Sequence, residues 1–523
     1  MSRVKGKFNI ENIILMTNQT TENNKRLAKN TMFLYFRMII IMIVTLFTSR
    51  VILQTLGVED YGIYNVVGGI VAMFSFISSS LTSASQRFIT FELGKGKKGN
   101  LSNVFSTCLT LHIILAVIIA LIVEPFGIWF IYNKLIIPDA RLTAAIWVFQ
   151  FSILAMVVMI VSVPYNALIV AYEKMNAFAL VSVIDAGLRL IIAYSLLVFG
   201  SYDKLIIYGA LMFVAQLIIR FCYTIYCKRV FLNVQYVKQM DKQLLVEMGK
   251  FASWSIFGNV AFITYTQGLN LLLGTFFAPV VNAARGVAVQ IQGAVNSFVG
   301  SFQTAINPQI TKNYAAGNVN EMIKLVFRSS RLSFYLLMIL SVPVILRTSD
   351  ILKIWLVNVP NHSVTFVRII LITTWINSIA NPLIISVKAT GKIKLYESTV
   401  GGLMIAILPI SYIFLRLGYP PETVFIVHLV IECIAMIFRI WNTKTLIHFS
   451  LRDYLKDVLF RISIVAVISF TISYFVSINL SSGLCFTIVA FILSVIASII
   501  IILLIGLDKS ERTFILKKIK KCQ

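Results

Sequence analysis

The sequence predicts an all-α polytopic membrane protein with about fourteen transmembrane helices. Three observations predict it. Apolar stretches of about 20 residues recur from residue 32 to residue 506. Hydrophobic residues make up 58% of the 523 and charged residues only 13%, about half the charged share of a soluble domain. The formal net charge is +25, and the Lys and Arg that produce it crowd into alternate connecting segments.

In chain order, residues 1–31 form a polar lead, and 1–15 are set aside because Met16 opens a second polar run directly into the first span. Six spans follow, near 32–54, 62–84, 104–123, 142–163, 179–199 and 205–226, giving a first lobe over 32–230. Six more fall near 251–273, 283–306, 332–347, 365–387, 396–415 and 422–441, giving a second lobe over 251–445. The pair at 459–478 and 484–506 is appended over 458–506, and 507–523 is a tail. The 332–347 span is short and bounded by Arg331 and Arg347. Segment 125–137, with Trp129, Phe130 and Tyr132, is too short to cross and is expected to lie in the interface. At one constant offset Ile89-Thr90 aligns with Ile310-Thr311, Gly96 with Gly317 and Gly57 with Ala278. This suggests two copies of one helical unit. An even number of spans per copy makes both enter the membrane in the same direction. The pseudo-two-fold axis then runs along the membrane normal, with a cleft expected at the junction.

Lys and Arg favour one set of loops by about four to one, which places both termini in the cytoplasm. Arg87, Lys95, Lys97 and Lys98 stand in that set, against isolated residues such as Lys134, Arg141 and Arg347 in the other. The positive charge thus reads as loop asymmetry, and nucleic acid is not expected as a partner. The six Cys read as unpaired small residues with no disulfide framework and no metal site. The Gly94–Gly99 run lacks the spacing and the Ser/Thr of a phosphate-binding loop and reads as a turn. No large soluble domain serves ATP hydrolysis and no long outer loop carries an acid/His cluster, so the chain reads as a non-enzyme without cofactor, with proton or sodium coupling left open.

Charge and amides inside a bilayer ask for a partner or a cavity. Arg37 and Arg50 lie on the first span, each as a candidate anion contact or a snorkelling anchor. Arg285, Gln292, Asn296 and Gln303 recur at seven-, four- and seven-residue steps on the eighth span, which at about 100° per residue puts them on one line. Asn270, with Gln267 beside it, repeats the idea on the seventh. Such stripes read as a wet cavity or as interhelical hydrogen bonding. Asp185 and Arg189 on the fifth span read as an i,i+4 ion pair or as an ion-coupling site. Glu432, near the centre of the twelfth span, has His428 one turn before it and Arg439 two turns after. It reads as a proton-handling group or as a buried pair with Arg439.

Leu56-Gly57-x-Glu-Asp-Tyr61-Gly62-x-Tyr64, followed by Arg87 and Glu92-Leu-Gly-Lys-Gly96, resembles the polysaccharide-transporter family. These are the O-antigen and capsule repeat-unit flippases of the multidrug/oligosaccharidyl-lipid/polysaccharide exporter (MOP) superfamily. The resemblance covers about residues 16–510. It implies two MATE-like six-helix lobes with an alternating cavity lined by spans 1, 2, 7 and 8, in a bacterial cytoplasmic membrane. The implied activity is moving an undecaprenyl-pyrophosphate-linked oligosaccharide between leaflets, with the polysaccharide polymerase machinery as an associated partner. A lipid II flippase, a cation-coupled drug exporter of the same superfamily, and a membrane polymerase or ligase are the competing readings.

Overall fold

The computed structural model describes residues 2–72, 74–133, 135, 137–197, 203–237, 241–277, 279–356, 358–481, 483–508 and 511–513. Among them every regular element is helical. The chain divides into two compact units, one of residues 1–249 with 304–308, the other of 250–303 with 309–523.

The first unit contains α1 (Ser2–Ala72), α2 (Ser75–Gly94), α3 (Leu101–Asn133), α4 (Asp139–Ala171), α5 (Met175–Ser195), α6 (Lys204–Val230) and the start of α7 (Lys242–Phe276). α1 breaks at Gly57 (φ 80°, ψ 170°), a backbone conformation that costs glycine alone nothing. The break turns the following residues so that Asp60 meets Arg141 at the start of α4. Arg141 Nε donates to Asp60 Oδ1 at 2.8 Å, and Nη1 donates to Asp203 Oδ2 at 2.8 Å. Asp203 also caps α6, accepting from the amides of Leu205 (3.0 Å) and Ile206 (3.4 Å). One guanidinium thus ties the sequence motif to two helix starts. α4 packs on α6 and α1 on α5.

Residues 125–133 are not a separate piece; the rest of the segment expected at the interface lies partly outside the described residues. α3 continues through Pro125 to Asn133, because a proline removes only one backbone donor and its neighbours absorb the kink. Phe126, Trp129 and Phe130 cluster on its last turns.

The second unit continues with α8 (Pro279–Ala315), α9 (Val319–Leu346), α10 (Thr348–Trp355), α11 (Ser363–Thr390), α12 (Lys394–Arg416), α13 (Glu422–Ile447), the short α14 (Leu451–Tyr454), α15 (Arg461–Ile478) and α16 (Leu484–Ile501). α11 packs against α9 and α13, and α15 and α16 pack on each other and on α9. The span expected at 332–347 is the apolar end of the much longer α9. Arg331 does not bound it. It is buried within the helix, where Nη2 donates to Asp508 (2.7 Å) and Glu511 (3.2 Å) and Nη1 to the Asp457 carbonyl (3.2 Å). Arg328 pairs with Glu511 at 2.9 Å, and Arg461 pairs with Asp508. The acids that let α9 carry two arginines come from beyond the end of α16, far away in sequence.

Twelve helical stretches among the described residues are long and apolar enough to cross a membrane, so the count of fourteen is approximate. The two additional passages expected, at 62–84 and 283–306, are helical but stand outside that set. The first is divided between the end of α1 and α2, and α8 is long but polar. Gly96 (φ 61°) and Gly317 (φ 78°), aligned by the repeat, both carry positive φ just beyond the ends of α2 and α8.

Burial opposes the ionised form of Asp508, yet the hydrogen bonds from Arg461 and Arg331 prevail and hold its carboxyl below the ordinary range. A depressed carboxyl contributes stability above its unfolded pKa, about 4, and loses it as pH falls through the folded value. Arg331→Ala leaves Glu511 buried without that partner and is expected to cost about 3 kcal/mol. Asp508→Asn, at a half-exposed position, should cost less. Thermal unfolding of the purified protein checks both: the Asn variant's deficit should shrink below about pH 4.

Candidate functional site

The second unit encloses a cavity of about 580 Å³ lined by α7, α8, α11, α12 and α13. Helical periodicity puts Asn259, Thr266, Gln267 and Asn270 of α7 and Arg285, Gln292 and Asn296 of α8 on its wall. Arg285 is 7% exposed. Its guanidinium donates to Asn270 Oδ1 and, at 2.8 Å, to the Thr266 carbonyl. Asn270 Nδ2 in turn donates to Gln267 Oε1 at 3.2 Å. Both partners of Arg285 are neutral oxygens, and among the described residues no carboxylate forms an ion pair with it. Gln292 Nε2 donates to Thr374 Oγ1 at 3.0 Å, while Asn296 is exposed to the cavity.

α13 presents His428, Glu432 and Arg439 to the same cavity. Glu432 is 1% exposed and paired with Arg439, whose Nε also donates to Tyr396 Oη at 3.4 Å. The buried pair is therefore formed, and a proton-handling role for Glu432 requires that pair to open. The His428 ring lies tilted against Tyr265, with centroids 5.0 Å apart, and its buried Nε2 has no hydrogen-bond partner.

Three lining residues escape a search for charge inside apolar runs: Lys388 at the end of α11, and Tyr396 and Glu397 in the first turn of α12. They flank the left-handed Gly391 turn (φ 78°), so Lys388 reads as loop charge, although the fold turns it inward. An opposite-charge pair across a helix–Gly–helix corner is the signal that finds them. The Glu397 carboxylate lies against Gly258, where any side chain would meet it.

Gln303, on the line of Gln292 and Asn296, is not among the residues lining the cavity. Its Nε2 donates to Ser333 Oγ (3.2 Å) and the Ser378 carbonyl (3.3 Å), so it joins α8 to α9 and α11. The interhelical reading holds at that end of the stripe.

The first unit has its own cavity, of about 460 Å³, between α1, α5 and α6. Arg37 lies on it with its guanidinium 4.6 Å from the Phe178 ring centre. Asp185 and Arg189 line it too, and they form the i,i+4 pair at 3.2 Å. The Arg50 side chain lies outside the described residues. No group of three or more His, Cys, Asp or Glu suited to a metal occurs among the described residues.

Cysteines at Gln292 and Asn296, in a background without native Cys, should react with a hydrophilic thiol reagent about tenfold faster than cysteines at Val295 and Val299, which are 7% and 2% exposed. Labelling rates on membranes check this, and equal rates at the four sites would contradict a water-filled cavity.

The MatE family matches residues 19–195, a stretch within the first unit. No curated protein sequence matches the chain. Solved structures do. A MATE protein in the bent conformation is 13% identical with TM-score 0.69, covering 81% of this chain and 96% of its own. An outward-facing multidrug resistance MATE family transporter of the MOP superfamily is 14% identical with TM-score 0.67, covering 80% and 96%. A MOP superfamily transporter from Pyrococcus furiosus, for which reverse polarity of the binding pocket suggests a different function, is 14% identical with TM-score 0.67, covering 81% and 97%. The chain therefore has the MATE-like, all-helical fold of MOP superfamily transporters.

Proposed function

We propose that the protein is an alternating-access transporter of an anionic amphiphile, an undecaprenyl-pyrophosphate-linked oligosaccharide, moved from the cytoplasmic to the periplasmic leaflet of a bacterial inner membrane. The observation that carries this reading is Arg285, buried in the second-unit cavity and held only by neutral oxygens. Removing an ion from water without an opposite charge costs several kcal/mol, and an anionic headgroup repays that cost with a bidentate contact. Arg285, Lys388 and Arg439 face two carboxylates there, Glu397 and Glu432, and Arg439 already occupies Glu432. Asn259, Gln267, Asn296 and Asn377 add amides suited to sugar hydroxyls and phosphoryl oxygens. That pocket polarity varies within the superfamily is supported by the Pyrococcus furiosus transporter.

A cation-coupled drug exporter is the second reading. The buried carboxylates Glu397 and Glu432 favour it, since a lipophilic cation would seek them. The two readings separate on Arg285. Arg285→Ala should reduce export of lipid-linked repeat units, read as surface glycan in a deletion strain, by about tenfold to a hundredfold, the loss of one charge-assisted hydrogen bond. Arg285→Lys should recover part of it. Full glycan in the Ala variant, together with lost resistance to cationic drugs on Glu432→Gln, would favour the exporter.

Gradient coupling is proposed for Glu432 with His428. Glu432→Gln keeps the shape and removes the titratable charge, so transport by the variant should lose its dependence on a proton or sodium gradient.

A further inference from the structure

We infer that Asn270 is a positioning residue that sets the charge preference of the second-unit cavity, by giving Arg285 an amide where a carboxylate would cancel its charge. The inference deepens the proposed function and rests on its assignment of Arg285 as a ligand contact.

The geometry is that of an ion pair with the acid left out. Asn270 Oδ1 accepts from the Arg285 guanidinium, and the Thr266 carbonyl accepts a second N–H at 2.8 Å. Asn270 Nδ2 donates to Gln267 Oε1 at 3.2 Å. That bond fixes which way the amide is turned, with its oxygen toward Arg285. The corner between α7 and α8 brings the two residues together, and Gly274 permits it: a Cβ there would lie 2.9 Å from Asn282 Nδ2, one turn before Arg285. Aspartate has the same shape as asparagine and would accept the same N–H with a full negative charge. The chain uses that stronger kind of partner elsewhere. Arg141 is met by Asp60, Arg331 by Asp508 and Arg439 by Glu432.

The choice at position 270 decides the sign of the cavity. Arg285, Lys388 and Arg439 on its wall outnumber Glu397 and Glu432 by one. A carboxylate at position 270 would make the two signs equal and would take the guanidinium for itself. Two roles for Asn270 then make opposite predictions. If it merely ties α7 to α8, Asn270→Asp strengthens the tie and leaves ligand preference alone. If it sets the charge preference, the same substitution keeps the fold and moves the preference.

The test is binding of farnesyl pyrophosphate and of tetraphenylphosphonium to the purified full-length protein, read as the ratio of their dissociation constants. Asn270→Asp should shift that ratio toward the cation by about tenfold or more, the effect of one charge-assisted hydrogen bond withdrawn from the anion, with no loss of thermal stability. Gln267→Glu places the carboxylate one residue further from Arg285, at an exposed position. It should shift the ratio the same way by a smaller factor, about threefold, and decides the matter if Asn270→Asp does not fold. A ratio unchanged in both variants, or shifted toward the anion, would overturn the inference. A wild-type preference for tetraphenylphosphonium would overturn the anion reading alone, because the inference is read as the shift away from wild type. Binding of neither probe by the wild type would overturn both.

Discussion

The cost of an unpaired charge in a bilayer governs this structure. Among the described residues several arginines are paired with acids while Arg285 is not, and that difference separates scaffold from site. Arg331 is met by Asp508 and Glu511 from beyond α16, Arg141 by Asp60 and Asp203, and Arg439 by Glu432. The first two join separate segments within their own unit, and the third lies along α13. Arg285 differs, because the amide of Asn270 and a backbone carbonyl hold its orientation without neutralising it. A guanidinium positioned but not neutralised is suited to a ligand's charge.

The two units solve the same problem with different chemistry. The second-unit cavity gathers three cations, two acids and several amides from α7, α8, α11, α12 and α13. The first-unit cavity balances Arg37 and Arg189 against Asp185 and surrounds them with tyrosines.

Much of this was legible in the sequence, for a reason that also explains what was not. Hydropathy alone predicts the helical membrane fold. A 3.6-residue period places Gln267, Asn270, Arg285, Gln292, Asn296, His428 and Glu432, and all seven line one cavity. The same period misplaces Gln303, because a helix face can leave a cavity and enter a neighbouring helix, here at Ser333 and Ser378. It misreads Arg331 as a span boundary, because the compensating acids are far away in sequence and no local pattern announces them. Lys388 and Glu397 stay hidden because charge beside a glycine corner looks like ordinary loop charge until the corner is folded. α8, long but rich in amides, is the expected span at 283–306 that stands outside the helices apolar enough to cross a membrane.

The central claim, that the second-unit cavity selects negative charge through Arg285, is tested most directly by binding to the purified protein. Farnesyl pyrophosphate, farnesol and tetraphenylphosphonium present the same kind of apolar body with negative, zero and positive charge. The account predicts that farnesyl pyrophosphate binds tightest, with a preference over farnesol that falls about tenfold or more in Arg285→Ala. Tighter binding of tetraphenylphosphonium, unchanged by Arg285→Ala, would contradict it.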